Sequence, residues 1–531
     1  MIDASVAPAA RAVGLLNRWR DHAAFGLFFL GVVLAPIPFG SVRLFWIVIW
    51  TAVFGLALLL ADGSGLRAGA ARLLLALGGV MIAYGVVALL QSISPGPQPD
   101  AIWALASKAL GETLPPLSGA IQDAPLLFLG RPLLFGAVFA CGLMFSGNEK
   151  RARMTVLAII SVTAISAIVG GIALAFGIRS LRPYDQGGSL TTVFINRNTS
   201  GTYIGSGLLL CLSLLLTRYM TALREGRSMR NAFLALNRLE SWVLTGALLL
   251  FFILLPLTLS RGGVTFTILI AAGAVLALMA PRMPSRLPLV IGALGLFALV
   301  FVLSGQQWRA RQALAGFESE ERLVAYEIML RSIFERPLLG VGLGTFAEVF
   351  PFFRTDDLGI LGIWNIGHST PLELAFEGGV PLALLVGVFV IACGVLLVRG
   401  IIRRPHDPYI LAAMLMGLLG LIHSSIDFSL QMPGYAVIYM AVAGLGVGRA
   451  MLPSGETRVR VRQRRSPRPS AAEEASPLAS DEPAEAGIPA GPETAPKTEA
   501  EPMTRHGGRQ EASQRQMGVP PARAAAPSGP E

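Results

Sequence analysis

The chain has 531 residues, of which 53% are hydrophobic and 14% charged, with a mean hydropathy of +0.62. A soluble protein carries about a quarter charged residues, so this composition excludes a water-soluble globular enzyme. The net charge of +10 does not point to nucleic acid, because 11 of the 43 Lys and Arg lie after Met451 and most others flank apolar runs.

Those runs are roughly 17 to 24 residues long, enough to cross a hydrocarbon layer about 30 Å thick. The chain therefore reads as an all-α polytopic membrane protein. A cytoplasmic N-terminal segment, 1–22, contains Arg11, Arg18 and Arg20 and leads into further spans, unlike a cleaved signal. About twelve transmembrane helices are expected, over 23–39, 43–61, 71–91, 125–146, 154–177, 199–217, 241–259, 263–280, 287–304, 379–398, 409–424 and 433–450. Nine of them fill 23–304 and three fill 379–450, with a long loop, 305–378, between the two sets. Arg131 and Pro132 fall in the first turns of the fourth. Residues 451–531 turn abruptly to Pro, Ala, Glu, Ser and Arg. Such a segment cannot bury enough surface to offset its chain entropy, and it is expected to be a disordered cytoplasmic tail. Its basic start, Arg458 to Arg468, is either simply solvated or rests on anionic inner-leaflet lipid. Cys141, Cys211 and Cys393 each lie inside an apolar run, so neither a disulfide framework nor a thiolate metal site is expected.

Cytoplasmic loops carry the excess of Lys and Arg. With the N-terminus inside, the inner connections hold Arg67 and Arg72; Lys150, Arg151 and Arg153; Arg218, Arg224, Arg227, Arg230 and Arg238; Arg282 and Arg286; and Arg399, Arg403 and Arg404. Every short inner connection is basic, which sets both termini in the cytoplasm. Polar residues at unusual positions then gather on the opposite side. Arg197 lies just before the sixth span, and Arg261 lies in a turn so short that it must sit at the membrane surface. The long loop holds Arg322, Arg331, Arg336, Arg354 and His368, and His423 and Asp427 stand where the eleventh span emerges.

Arginine near hydrocarbon is costly unless paired, and a guanidinium fork matches diphosphate oxygens bidentately. Arg197 and Arg261 would suit a lipid-linked diphosphate; the competing reading has each snorkel to lipid phosphate or pair with a loop carboxylate. Glu318–Arg322 and Glu327–Arg331 have the i,i+4 spacing of a solvated helix. Over 318–335, Leu323, Tyr326, Met329, Leu330, Ile333 and Phe334 recur at amphipathic helical spacing. The Gly340-x-Gly342-x-Gly344 run that follows opens no βαβ unit and is not a nucleotide fingerprint. Thr370-Pro371-Leu372-Glu373 reads as a capping box with Pro at the first helical position, which makes Glu373 a cap before it is a catalytic acid. His368 stands on the approach to that helix. A helix dipole and nearby arginines both disfavour imidazolium, leaving a neutral ring able to accept a proton. His423 and Asp427, four apart, read as an interfacial hydrogen-bonded pair. No metal site is expected: no H-x-x-x-H pair occurs, and the adjacent Asp356 and Asp357 point different ways on any regular element.

The chain resembles the O-antigen ligase and polymerase superfamily of bacterial envelope proteins. The resemblance rests on Phe-Ile-Asn-Arg-Asn-Thr-Ser-Gly at 194–201, Leu-Ser-Arg-Gly-Gly at 259–263, Arg-Pro-Leu-Leu-Gly-Val-Gly-Leu-Gly-Thr-Phe at 336–346 and His-Ser-Thr-Pro-Leu-Glu-Leu at 368–374, followed by Glu377-Gly378-Gly379. It implies a GT-C-like, metal- and cofactor-independent glycosyltransferase at the periplasmic face of the inner membrane. Such an enzyme moves a glycan from undecaprenyl diphosphate to an acceptor hydroxyl, on lipid A-core or on another carrier-linked chain. By the same resemblance Arg197 and Arg261 hold the diphosphate and His368 activates the acceptor, with Asn196, Asn198, Arg322 and Glu377 as supporting candidates. The family pattern often has Asn after the His, whereas Ser369 stands here. Ligase and polymerase share donor and chemistry, so both remain open. A lipid-linked glycan flippase is disfavoured, because transporters place ionisable groups and broken repeats near the midplane, and the mid-span positions here read as almost wholly apolar.

Overall fold

The computed structural model describes residues 6–63, 66–93, 101–113, 121, 123–178, 188–234, 236–279, 281, 287, 291–292, 295, 321–355, 358 and 364–453. Among these, every regular element is helical. The first eleven helices are α1 (Val6–Leu34), α2 (Leu44–Leu60), α3 (Ala68–Ile93), α4 (Ala101–Leu110), α5 (Ala124–Phe128), α6 (Gly130–Phe145), α7 (Glu149–Ala175), α8 (Arg197–Arg224), α9 (Met229–Leu234), α10 (Leu239–Leu254) and α11 (Arg261–Met279). Then come α12 (321–335), α13 (Thr370–Gly378), α14 (Val380–Arg403), α15 (Pro408–Ser424) and α16 (Pro433–Ala450).

Helices stand over eleven of the twelve expected runs; the expected span 287–304 apart from residues 287, 291, 292 and 295, most of the tail, and Glu318, Asp356 and Asp357 in the long loop lie outside the described residues. Seven segments are long and apolar enough to cross a membrane: α3, α5 with α6, α7, α8, the α10 segment to Thr258, α11 and α14, while α2 and α15 are apolar but shorter. The chain is therefore a multi-pass membrane protein of the all-α class. Arg131 and Pro132 do not break the fourth run. The interruption falls at Leu129, where α5 ends and α6 begins, and the Arg131 guanidinium lies 5.7 Å from the Phe128 ring centroid.

Two helices form the centre. α8 packs on α7, α10, α11 and α15, and α16 packs on α6, α14 and α15. Lipid tails are as apolar as leucine, so helices associate in a membrane through close van der Waals contact at small residues. The sequence of α16 supplies this as Gly444-Leu-Gly-Val-Gly448. A Cβ on Gly444 would run into the Phe139 carbonyl of α6, and one on Gly142 would sit 2.6 Å from the Ala441 carbonyl. Neither obstacle is a flexible side-chain end, so the backbones would have to part. Gly444→Leu is expected to cost about 3 kcal/mol or more, read as a lost or sharply lowered melting transition in detergent; an unchanged transition would mean that this crossing is not what holds α6 to α16.

Basic residues of the expected inner connections are paired at one end of the bundle. Arg153 and Arg218 both reach Glu240, at 2.9 and 2.7 Å, and Arg151 reaches Asp21 at 2.6 Å. Asp407 caps α15 through the Tyr409 amide and takes a buried ion pair from Arg449 at 2.6 Å. The starts of α8 and α11 and the end of α15 lie at the opposite end of their helices.

The long loop has its own small core, built from Ala325, Ile328, Met329 and Ile333 of α12 with Val341, Phe346, Val349, Phe350, Leu358 and Phe376. The amphipathic face of α12 is offset from the expected one: Met329 and Ile333 are buried, but Leu323, Leu330 and Phe334 face outward. The glycine run is a wrap around the end of α13. The Val341 and Gly342 amides donate to the Phe376 and Glu377 carbonyls, which the helix leaves without intrahelical partners. Gly340, at φ +66°, has no room for a Cβ against that same backbone. Gln91 of α3, fully buried, ties the wrap to the bundle: its amide nitrogen donates to the Leu339 and Glu377 carbonyls and its oxygen accepts from the Leu343 amide at 2.9 Å.

Candidate active site

α8 starts at Arg197 because Asn196 caps it, its Oδ1 accepting from the Asn198 amide at 2.7 Å and the Thr199 amide at 3.1 Å. α11 starts at Arg261, two residues after a left-handed residue, Leu259 at φ +54°, that turns the chain back from α10. The two starts adjoin: a Cβ on Gly263 would meet Gly201 backbone atoms at 3.0 Å, and one on Gly201 would meet Ser260. Arg197 and Arg261 thus open neighbouring helices, with Arg197 half-buried and Arg261 exposed.

The connector from α15 to α16 lies against both. Gly262 sits beside His423, a Cβ there lying 3.1 Å from the ring. Asp427, almost fully buried, accepts from Asn198 Nδ2 at 2.6 Å and from the Phe428 amide, and Arg322 of α12 approaches it at 3.9 Å while donating to the Ile426 carbonyl. The expected His423–Asp427 pair is not what forms. α15 ends at Ser424, so the two residues do not share a helix face, and His423 Nδ1 instead meets Ser429 Oγ at 3.0 Å. Arg322 reaches Asp427 of the connector, and Arg331 pairs with Glu327 as its spacing predicts.

His368 reaches the same connector from the loop. Its ring centroid lies 5.0 Å from that of Phe428 and 5.6 Å from that of Trp364, both edge-to-face. Its backbone is left-handed, φ +53°, and its carbonyl accepts from Tyr326 Oη at 2.8 Å. Arg197, through Asn198 and Asp427, and His368, through Phe428, are thus joined by two consecutive residues of one turn, and Arg261 lies one residue from the His423 contact of that turn. Hydroxyls extend the polar region down α8: Thr202 meets Ser429 at 3.2 Å and Ser206 meets Tyr435 at 3.0 Å. Ser206 is about 13 Å of helix rise below Arg197, so the mid-span is not wholly apolar there, although these groups are hydroxyls and carry no charge.

The capping-box reading of Glu373 is overturned. Ser369 occupies the cap position of α13 without a side-chain cap bond, and Glu373 points inward, its Oε2 accepting from the Gly367 amide at 2.6 Å and from Gln431 Nε2 at 3.0 Å. Burial raises its proton affinity, with those two donors and Arg131 pulling it back. Glu377, one turn on, accepts from the Phe346 amide at 2.9 Å. Burial and then the Glu373 charge push its pKa up to about 8, against the Gly344 and Phe346 amides and Arg131. A carboxyl raised in this way binds more protons folded than unfolded between its ordinary 4.5 and about 8, so its contribution to stability falls as pH rises through that window. The melting temperature of the purified protein should drop from about pH 5 to about pH 8, and Glu377→Gln should flatten the slope; an unaltered slope would place the titration elsewhere.

An all-α membrane bundle bearing arginines at two adjoining helix starts, with a folded loop that packs a histidine on the connector beside them, defines a membrane protein with a polar region at one end. Residues 246–387 match the family model described as O-antigen ligase, a segment that contains Arg261, α12, the glycine wrap, His368 and α13. That match makes the segment similar to the O-antigen ligase family, in agreement with the sequence motifs. No curated protein matches the chain.

Proposed function

We propose that this protein is an O-antigen ligase-like glycosyltransferase of the bacterial inner membrane. It moves a glycan from undecaprenyl diphosphate to an acceptor hydroxyl, on lipid A-core or a similar acceptor, at the periplasmic face. The proposal takes twelve crossings with both termini cytoplasmic, and no metal or other cofactor. The observation that carries it is that Arg197 and Arg261 are the first residues of adjoining helices. A cation at the positive end of a helix dipole costs about 0.3–1 kcal/mol, and two such ends side by side repel each other. An anion lying between them would have its charge shared by helix-start amides and two guanidinium forks. A polyprenyl diphosphate headgroup at the membrane surface is such an anion.

The chemistry follows from that placement. Outside the cytoplasm no nucleotide triphosphate is supplied, so the glycosyl donor arrives already activated by its diphosphate. The acceptor oxygen attacks the anomeric carbon from the face opposite the diphosphate, and His368 takes its proton. The carbon–oxygen bond to the diphosphate breaks, its electron pair leaving with the polyprenyl diphosphate, where Arg197 and Arg261 stabilise the developing charge. The anomeric configuration inverts.

A polymerase would use the same donor and the same residues on a carrier-linked acceptor. Gel analysis of surface glycan from a deletion strain separates the two. Loss of lipid-A-linked glycan with long carrier-linked chains accumulating supports the ligase reading. Accumulation of single repeat units overturns it in favour of a polymerase, and unchanged glycan overturns both.

A further inference from the structure

We propose that Glu373 and Tyr326 are positioning residues that clamp the Gly367–His368 turn and so fix the His368 ring, an inference that rests on His368 being the base of the reaction above. A residue other than glycine in the left-handed region is strained and persists only where its surroundings over-determine it. His368, at φ +53°, is pinned on both sides. Ahead of it the Gly367 amide donates to Glu373 Oε2 at 2.6 Å, and behind it the His368 carbonyl accepts from Tyr326 Oη at 2.8 Å. A side chain at Gly367 would be crowded, since a Cβ would lie 3.0 Å from Glu373 Oε2 and 3.1 Å from both Met329 and Phe346.

Glu373 does a second thing through the same oxygen. Gln431 Nε2 donates to Oε2 at 3.0 Å, and Gln431 belongs to the connector that carries Asp427 and Phe428. One acceptor atom therefore joins the turn bearing His368 to the connector that holds Asn198 beside Arg197. The carboxyl is buried among loop-core residues and serves as a two-donor acceptor, so what the clamp needs from residue 373 is an oxygen of the right reach and not a negative charge. Tyr326 supplies the other point from α12, which the buried Ala325, Ile328 and Met329 anchor in the loop core.

The test is steady-state transfer by purified protein with a lipid-linked glycan donor, run on Glu373→Leu, Glu373→Gln, Tyr326→Phe and His368→Ala. Misplacing a reacting group by about 1 Å costs about 10²-fold, so Glu373→Leu should lose on the order of 10²-fold in kcat with the donor KM held within about twofold. Glu373→Gln keeps the acceptor oxygen and should stay within about threefold of the parent. Tyr326→Phe should lose about tenfold in kcat, and with Glu373→Leu the combined loss should be smaller than the product, because both act on one turn. If Glu373→Leu fails to fold, Tyr326→Phe alone decides. Full kcat in Tyr326→Phe and Glu373→Leu beside an inactive His368→Ala overturns the clamp and leaves the base reading standing. A Gln variant as slow as Leu overturns the acceptor role, since the charge or proton would then be what matters. An active His368→Ala overturns the base reading and the clamp with it.

Discussion

Replacing His368 by alanine or asparagine is expected to lower transfer by about 10²–10⁴-fold, the usual worth of general-base catalysis. Asparagine is the more informative of the two. It tolerates the left-handed backbone that His368 adopts, so the turn, the Tyr326 bond and the Gly367–Glu373 bond can persist while the proton acceptor is gone. Protein level, melting temperature and the pool of lipid-linked donor should stay at parental values in the asparagine variant, with the loss falling on kcat and little of it on donor KM. Parental turnover by His368→Asn would remove the base from the proposed mechanism.

Arg197→Ala and Arg261→Ala should each lower kcat by about 10²–10³-fold, in the range found when one group stabilising a developing anion is removed. Lysine should rescue poorly, because an ammonium is a point charge without the bidentate fork. The Arg261 variant also carries an unusual expectation for stability. Arg261 stands exposed at the positive end of its own helix, so removing it relieves about 0.3–1 kcal/mol of unfavourable charge–dipole interaction. Arg261→Ala should melt at or slightly above the parental temperature while losing activity, the pattern of a residue held for function at a cost in stability. A drop in melting temperature together with retained transfer would assign Arg261 to structure instead.

The helices were legible in the sequence because apolar runs of membrane length leave few alternatives, and the ends of α2, α11, α15 and α16 fall within a few residues of the expected limits. Arg197, Arg261 and His368 were legible as residue types misplaced on one side of a charge pattern. The partners around them were not. The spacing of Thr370, Pro371 and Glu373 is the same whether Glu373 caps its own helix or turns inward, and what decides it is Gln431, 58 residues away in sequence. His423 and Asp427 looked paired only on the assumption that α15 continues, and it stops at Ser424. Tyr326 read as one more apolar position of an amphipathic helix, because periodicity carries no information about where a hydroxyl points. The glycines at 340, 342 and 344 correctly failed as a nucleotide motif, but their purpose, closing over the end of α13, depends on Phe376 and Glu377, more than thirty residues on. The apolar run over 433–450 carried nothing to name α6 as the partner of Gly444.

The most direct measurement is a cryo-EM structure of the protein in a lipid nanodisc with a polyprenyl diphosphate bound. The account predicts the two phosphates between Arg197 and Arg261, within hydrogen-bond reach of both guanidinium groups, with the His368 ring on the side from which an acceptor would approach. A diphosphate bound away from either arginine, or a His368 ring turned from the bound headgroup, would contradict it.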